Sequence, residues 1–188
     1  METTTTQTIL LVEDDENDVV FMEMALEKAG LASAFRVAED GAEAIDYLSG
    51  KGQFADRARF PIPALVFLDL KLPRVMGMDV LKWIRDQPEL DTMVVIMLTA
   101  SQQRTDIRRA CSLGANSYLV KPSDPAGLSQ LVDLVKRYWL DLNQPTATMA
   151  AAGGAAPTGP RAPRNNRGQT TEGDERTADP PRTLHGNA

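Results

Sequence analysis

Histidine and cysteine are nearly absent from this chain: among its 188 residues the only ones are His185, close to the C-terminus, and Cys111. With the only histidine so close to the C-terminus, a catalytic triad, a zinc site or a phosphohistidine would need a group that the rest of the chain lacks. One cysteine excludes an intramolecular disulfide and a cysteine-rich metal cluster, and a reducing compartment is the expectation. No apolar run approaches the roughly 20 residues that a membrane helix requires. The opening METTTTQT lacks the basic and apolar regions of a secretory signal. The sequence therefore predicts a cytoplasmic protein without a membrane partner. Basic residues are the minority, 20 Lys and Arg against 26 Asp and Glu, for a formal charge of −6. A field of that sign repels phosphate backbones, so nucleic acid is not an expected partner.

Composition shifts at Gln144-Pro145. The 44 residues from Pro145 to Ala188 hold six Gly, six Pro, nine Ala and seven Thr, and their only large aliphatic side chains are Met149 and Leu184. Such a stretch buries too little apolar surface to offset its chain entropy, which predicts disorder over 145–188. That segment carries five Arg and four acids, so residues 1–144 hold 15 basic and 22 acidic side chains, a charge of −7. The expected organisation is a flexible start over 1–7, one folded domain over 8–144, and the disordered tail.

Inside the folded part, short apolar runs alternate with segments of helical period. Strands are expected at 9–12, 34–37, 65–68, 93–98 and 117–120, which are short and rich in β-branched and aromatic residues. Helices are expected at about 16–29 before Gly30, 41–48, 78–86 before Pro88, 103–113 before Gly114, and 124–140, where Asp124-Pro125 supplies an N-cap and a first-turn proline. Five strands alternating with five helices imply a parallel sheet covered on both faces. The fold class is α/β, a flavodoxin-like doubly wound (βα)5 parallel sheet of order 2-1-3-4-5, whose ligands sit at the carboxyl ends of the strands. In the fifth helix, Leu128, Leu131, Val135, Tyr138 and Leu142 form a stripe toward the sheet, whereas Leu134, Trp139 and Leu140 lie off it. A helix apolar on a second side buries it against something. A homodimer touching through Leu134, Tyr138, Trp139 and Leu140 is the expectation, with cover from the 51–62 segment as the other explanation.

The residues at the strand ends carry the chemistry. Glu13-Asp14 come after the first strand, Asp69 after the third, Thr99 after the fourth and Lys121 after the fifth, while Glu39-Asp40 come after the edge strand and fall outside. Taken singly these are ordinary: Asp69 as a cap for the next turn, Glu13 to Glu16 as an acidic first turn favoured by the helix dipole. Taken together, three carboxylates converge and repel, and a divalent cation with hard oxygen ligands resolves the repulsion. Mg²⁺ beside a carboxylate, with an ammonium and a hydroxyl to hold phosphate oxygens, suits phosphoryl transfer onto Asp69.

The motifs ILLVEDD, LVFLDLKLPRVMG, IMLTAS and SYLVKP resemble the successive signatures of two-component receiver domains, and the resemblance covers nearly all of Thr8 to Asn143. The resemblance implies Asp69 as phosphoacceptor, and Mg²⁺ held by Glu13, Asp14, Asp69 and the backbone carbonyl of Lys71. It also implies Thr99 as switch hydroxyl, Tyr118 as switch aromatic, Lys121 as phosphate contact and Pro122 as a cis-proline. Met76 stands where an acid is frequent before Gly77, and Ser123 where many receivers have an aromatic. Neither is a catalytic group. Lys71 and Ser101 occupy the positions that face the attacking water in relatives. The segment GKGQFADRARFPIPALVFLDLKLP and the ending YWLDLNQP further resemble the small stand-alone regulators partnered with bacterial phytochrome-type histidine kinases, a group in which the C-terminal helix often forms a homodimer.

These residues lead to the expectation of a single-domain response regulator. It takes a phosphoryl group from a sensor histidine kinase on Asp69, is no enzyme beyond its own phosphorylation and dephosphorylation, and signals by protein contact, no output domain being expected after Gln144. Three rivals fare worse on the residues. A binding module that has lost phosphorylation would usually lack one of Glu13, Asp14, Asp69, Thr99 and Lys121. A phosphatase of the haloacid-dehalogenase kind needs an acid where Lys71 stands. A flavodoxin-like cofactor carrier needs a Ser/Thr/Gly-rich loop where this chain has Glu13-Asp14.

Overall fold

The structure, a computed structural model, describes residues 7–143. The expected tail over 145–188, and all but Gln7 of the expected flexible start, lie outside the described residues. Strands β1 (Ile9–Val12), β2 (Phe35–Ala38), β3 (Leu65–Leu68), β4 (Val94–Thr99) and β5 (Ser117–Val120) alternate with helices α1 (Glu16–Lys28), α2 (Gly41–Ser49), α3 (Gly77–Asp86), α4 (Arg104–Leu113) and α5 (Pro125–Val135). The strands form one parallel sheet in the order β2-β1-β3-β4-β5, as the sequence predicts.

Both faces of the sheet are covered, which is why its inner strands read as unbroken apolar runs. Alternate residues separate cleanly: Leu10, Val12, Val66 and Leu68 face α2 and α3, joining Tyr47, Leu81 and Ile84, while Ile9, Leu11, Leu65 and Phe67 face α1 and α5, joining Met22, Leu26, Leu128 and Val132. Full burial of each such side chain contributes about 1.5–3 kcal/mol. Helix starts obey the local chemistry. Asp15 accepts from the Asn17 N–H at 2.8 Å, Asp40 from Ala42 and Glu43, and Asp124 from Gly127. α2 and α4 stop at Gly50 and Gly114, whose φ values of 68° and 94° favour glycine.

The fifth helix departs from expectation. Its α-helical winding ends at Val135, and Lys136–Leu142 continue as a π-helix. With i→i+5 bonding the residues stacked above Val135 are Trp139 and Leu140, so these two pack against the α1/α5 side of the core. Tyr138 and Leu142, placed on the core stripe by α-helical counting, are exposed instead, together with Leu134. The 51–62 segment does not serve as cover for this helix through its aromatic residues: Phe54 and Phe60 pack on Tyr47, at centroid distances of 5.2 and 6.0 Å, on the opposite face of the sheet. β2 and β4 begin one residue later than predicted.

That segment also closes α2. The Arg57 guanidinium donates to the carbonyls of Tyr47 and Leu48 at 2.7 Å each and to that of Phe60 at 3.2 Å, and the Tyr47 hydroxyl donates to the Pro61 carbonyl at 3.0 Å. Arg57→Ala leaves helix-terminal acceptors without their charged donor and is expected to destabilise the domain by about 2 kcal/mol. Urea denaturation with an unchanged slope checks this.

Candidate functional site

Parallel register aligns the strand ends, and with them the residues just beyond. Val12 stands beside Leu68, Leu68 beside Met97 and Thr99 beside Val120. The ladder runs one residue past the strands through Glu13 N–H to Ala38 O (3.0 Å), Asp69 N–H to Val12 O (3.1 Å) and Lys121 N–H to Thr99 O (2.9 Å). Glu13, Asp69 and Lys121 are therefore each anchored by their own main chain. α3 begins directly against this ledge: a Cβ at Gly77 would lie 1.9 Å from the Asp69 carbonyl oxygen, so glycine alone fits.

Glu13, Asp69 and Thr99 are nearly inaccessible at 2%, 7% and 2% exposure, and Asp14 is exposed beside them. The Lys121 ammonium contacts Glu13 Oε2 at 2.5 Å and Asp18 Oδ2 at 2.8 Å, and lies 3.9 Å from Asp69 Oδ1. Asp18 was not among the residues expected here. It stands in the first turn of α1, and its partner Lys121 lies 103 positions away, so no local pattern pointed to it. Burial raises the Glu13 pKa above the ordinary 4.5; the Lys121 hydrogen bond and charge pull it back, and the Asp69 charge adds to the rise. Burial alone would lower the Lys121 pKa, but hydrogen bonds to Asp18 and Glu13 outweigh it, and the ammonium is held above its usual value.

One carboxylate of the group is incompletely served. Asp69 Oδ2 accepts from the Lys71 N–H at 3.3 Å, whereas the buried Asp69 Oδ1 has no hydrogen-bond partner among the described residues. An oxygen from each of Glu13, Asp14 and Asp69 can come within 4.8 Å of the others. An orphaned carboxylate oxygen in an all-oxygen donor set fits a hard divalent cation. The Lys71 side chain is exposed, and its backbone N–H reaches Asp69.

Thr99 and Tyr118 meet through a third residue. Thr99 Oγ1 accepts from the Ser101 N–H at 3.4 Å, the Tyr118 hydroxyl donates to the Ser101 carbonyl at 3.0 Å, and the Ser101 hydroxyl donates to Asp106 of α4 at 2.6 Å. Tyr118 packs its ring on the α2/α3 side of the core, and burial pushes its phenol pKa up. Of Glu39-Asp40, Asp40 lies apart as expected, capping α2 and forming an ion pair with Arg74, whereas Glu39 lines a cleft together with Glu13 and Asp14.

Residues 9–133 match the family model described as the response regulator receiver domain. The probable methanogenesis regulatory protein FilR2 of Methanothrix harundinacea is 37% identical over 139 residues, covering 72% of this chain and 85% of that protein. Response regulator Rcp1 of Synechocystis sp. is 31% identical over 144 residues, 77% of this chain and 93% of that one. A crystal structure of its Mn²⁺-bound form superposes with a TM-score of 0.66 at 30% identity, over 73% of this chain and 97% of that one. The phosphorylated cyanobacterial phytochrome response regulator RcpA gives a TM-score of 0.68 at 31% identity, over 73% and 96%. With a family model spanning all five strands and relatives similar over nearly their whole length, this chain belongs to the response regulator receiver domain family.

Proposed function

We propose that the protein is a response regulator whose Asp69 accepts a phosphoryl group from the phosphohistidine of a sensor histidine kinase. The observation that carries this reading is the buried Asp69 Oδ1, without a hydrogen-bond partner among the described residues, near two further carboxylates and 3.9 Å from an ammonium. A carboxylate oxygen of Asp69 forms the new bond to phosphorus, the phosphorus–nitrogen bond breaks, and its electron pair stays with the departing imidazole. Mg²⁺ held by Glu13, Asp14, Asp69 and the Lys71 carbonyl would neutralise carboxylate and phosphoryl oxygens.

Lys121 is poised for the incoming oxygens because Glu13 and Asp18 already hold its ammonium toward Asp69. Among the described residues the Thr99 hydroxyl has only the long Ser101 contact to lose, and it can turn toward the phosphoryl group. Any shift of Ser101 then reaches Tyr118 and α4, which hold its carbonyl and its hydroxyl. A charge-assisted contact of this kind biases a two-state loop and changes the surface offered to partners. The phytochrome response regulators among the relatives favour a phytochrome-type kinase as the donor.

A second copy of the chain is the further partner. Leu134 and Tyr138 are 67% and 58% exposed, and they flank an apolar groove with Leu119, Leu131 and Trp139. Adding apolar area of this kind to an interface offsets its exposure.

Intact-protein mass spectrometry after incubation with acetyl phosphate is expected to show one added phosphoryl group in the presence of Mg²⁺ and none in Asp69→Asn. An equal gain in the mutant would remove Asp69 from its role. The raised Glu13 pKa makes protons compete with the cation at a higher pH than at an ordinary glutamate. Mg²⁺ affinity, read by calorimetry, is expected to be full near neutral pH, to decline as pH falls through that raised value, and to drop about tenfold in Glu13→Gln. Light scattering of the full chain is expected to give a dimer that Leu134→Glu converts to a monomer; a wild-type monomer at all concentrations would dismiss the second copy.

A further inference from the structure

Arg74 is the one non-glycine residue with positive φ among the described residues, at 61°. The Val75 N–H donates to the Pro73 carbonyl at 2.7 Å, which makes Arg74 the centre of a γ-turn of the positive-φ kind, the rare and strained form. A side chain persists in this region only where its surroundings over-determine it. Here the surroundings do so from two directions. The Arg74 guanidinium pairs with Asp40 Oδ2 across 34 positions of sequence, while Asp40 Oδ1 accepts the N–H groups of Ala42 and Glu43. Glu39, Glu43 and Asp46 line the same cleft as Arg74, with Lys51 as its other cation. The loop backbone also rests on α2, since a Cβ at Gly41 would lie 2.0 Å from the Val75 carbonyl oxygen.

The opposite end of this loop is the site. Gly77 donates its N–H to the Leu70 carbonyl at 3.1 Å and sits against the Asp69 carbonyl. Between these clamps lies Lys71, whose N–H reaches Asp69 Oδ2. We propose that the Asp40–Arg74 ion pair is a latch that holds the Pro73–Val75 turn and thereby sets the Lys71 backbone against Asp69. Arg74 is then a positioning residue, acting from outside the carboxylate cluster and through the loop. The latch rests on the reading of Asp69 as phosphoacceptor and of the Lys71 carbonyl as a cation ligand.

The pair can be dissected without losing the helix cap. Asp40→Asn keeps a side chain able to accept from Ala42 and Glu43, Arg74→Gly keeps the positive φ without the guanidinium, and Arg74→Ala removes both. Amide hydrogen exchange, measured without metal, is expected to quicken about tenfold at Lys71 and Val75 in Asp40→Asn and Arg74→Ala, and less in Arg74→Gly, with β3 and α3 amides unchanged. Mg²⁺ binding is expected to weaken about three- to tenfold in the first two, and the Asp40→Asn/Arg74→Ala double variant to be no worse than the worse single one. Unchanged exchange and Mg²⁺ binding, strictly additive losses, or a lower Tm with both other readouts intact would each overturn the latch. A wild-type protein that takes no phosphoryl group from acetyl phosphate overturns the Asp69 reading instead. The metal-free exchange data then still decide whether the ion pair positions the loop.

Discussion

The Lys121 ammonium is the constraint on which the site depends. It is the single cation in contact with Glu13 and Asp18 among the described residues and the nearest to Asp69, with Asp14 adding a further carboxylate beside them. One positive charge cannot neutralise that many acids, and burial of Glu13 and Asp69 denies them the screening that water would supply. The cluster therefore carries an excess of negative charge that favours a divalent cation and, through it, an anionic group. Everything else in the fold serves to hold this imbalance in place: the ladder bonds at Glu13, Asp69 and Lys121, the glycine contact beneath Asp69, and the α1 start that brings Asp18 to bear.

Two loops lead away from the carboxylate cluster, one after Asp69 and one after Thr99, and they are built differently. The loop after β3 is clamped by backbone contact at Gly77 and Gly41 and by the Asp40–Arg74 pair. The loop after β4 hangs on hydrogen bonds made by Ser101, which donates its N–H to Thr99 and its hydroxyl to Asp106 and accepts from the Tyr118 hydroxyl. Steric clamps resist change, whereas side-chain hydrogen bonds can be exchanged at small cost. The first loop thus suits holding a site in register, and the second suits passing a change of state to α4 and β5.

The fifth helix shows where periodicity misleads. Counting at α-helical spacing puts Tyr138 with Val135, because both lie on one side of an α-helix. The chain instead unwinds into i→i+5 bonding after Val135, which carries Trp139 and Leu140 inward and turns Tyr138 and Leu142 out. No residue in KRYWLDL announces that change, which the structure shows together with Trp139 packing against the core. The apolar face left outside is consequently Leu134, Tyr138 and Leu142, a different set from the one the pattern predicts.

By itself the sequence determined the strands, the helix caps, the sheet order and the residues at the strand ends. These arise from local chemistry: apolar runs such as Leu65 to Leu68, N-cap aspartates such as Asp124, and a topology that five alternating units strongly favour. Only the tertiary structure decided which groups actually touch. Asp18 meets Lys121 across 103 positions, Arg74 meets Asp40 across 34, and Arg57 caps a helix that ended before it in the chain. Contacts between long side chains from distant segments depend on the angle at which elements pack, and on the competition among several acids for each cation. Neither quantity is written in residue order, because both are properties of the assembled surface and not of any stretch of chain.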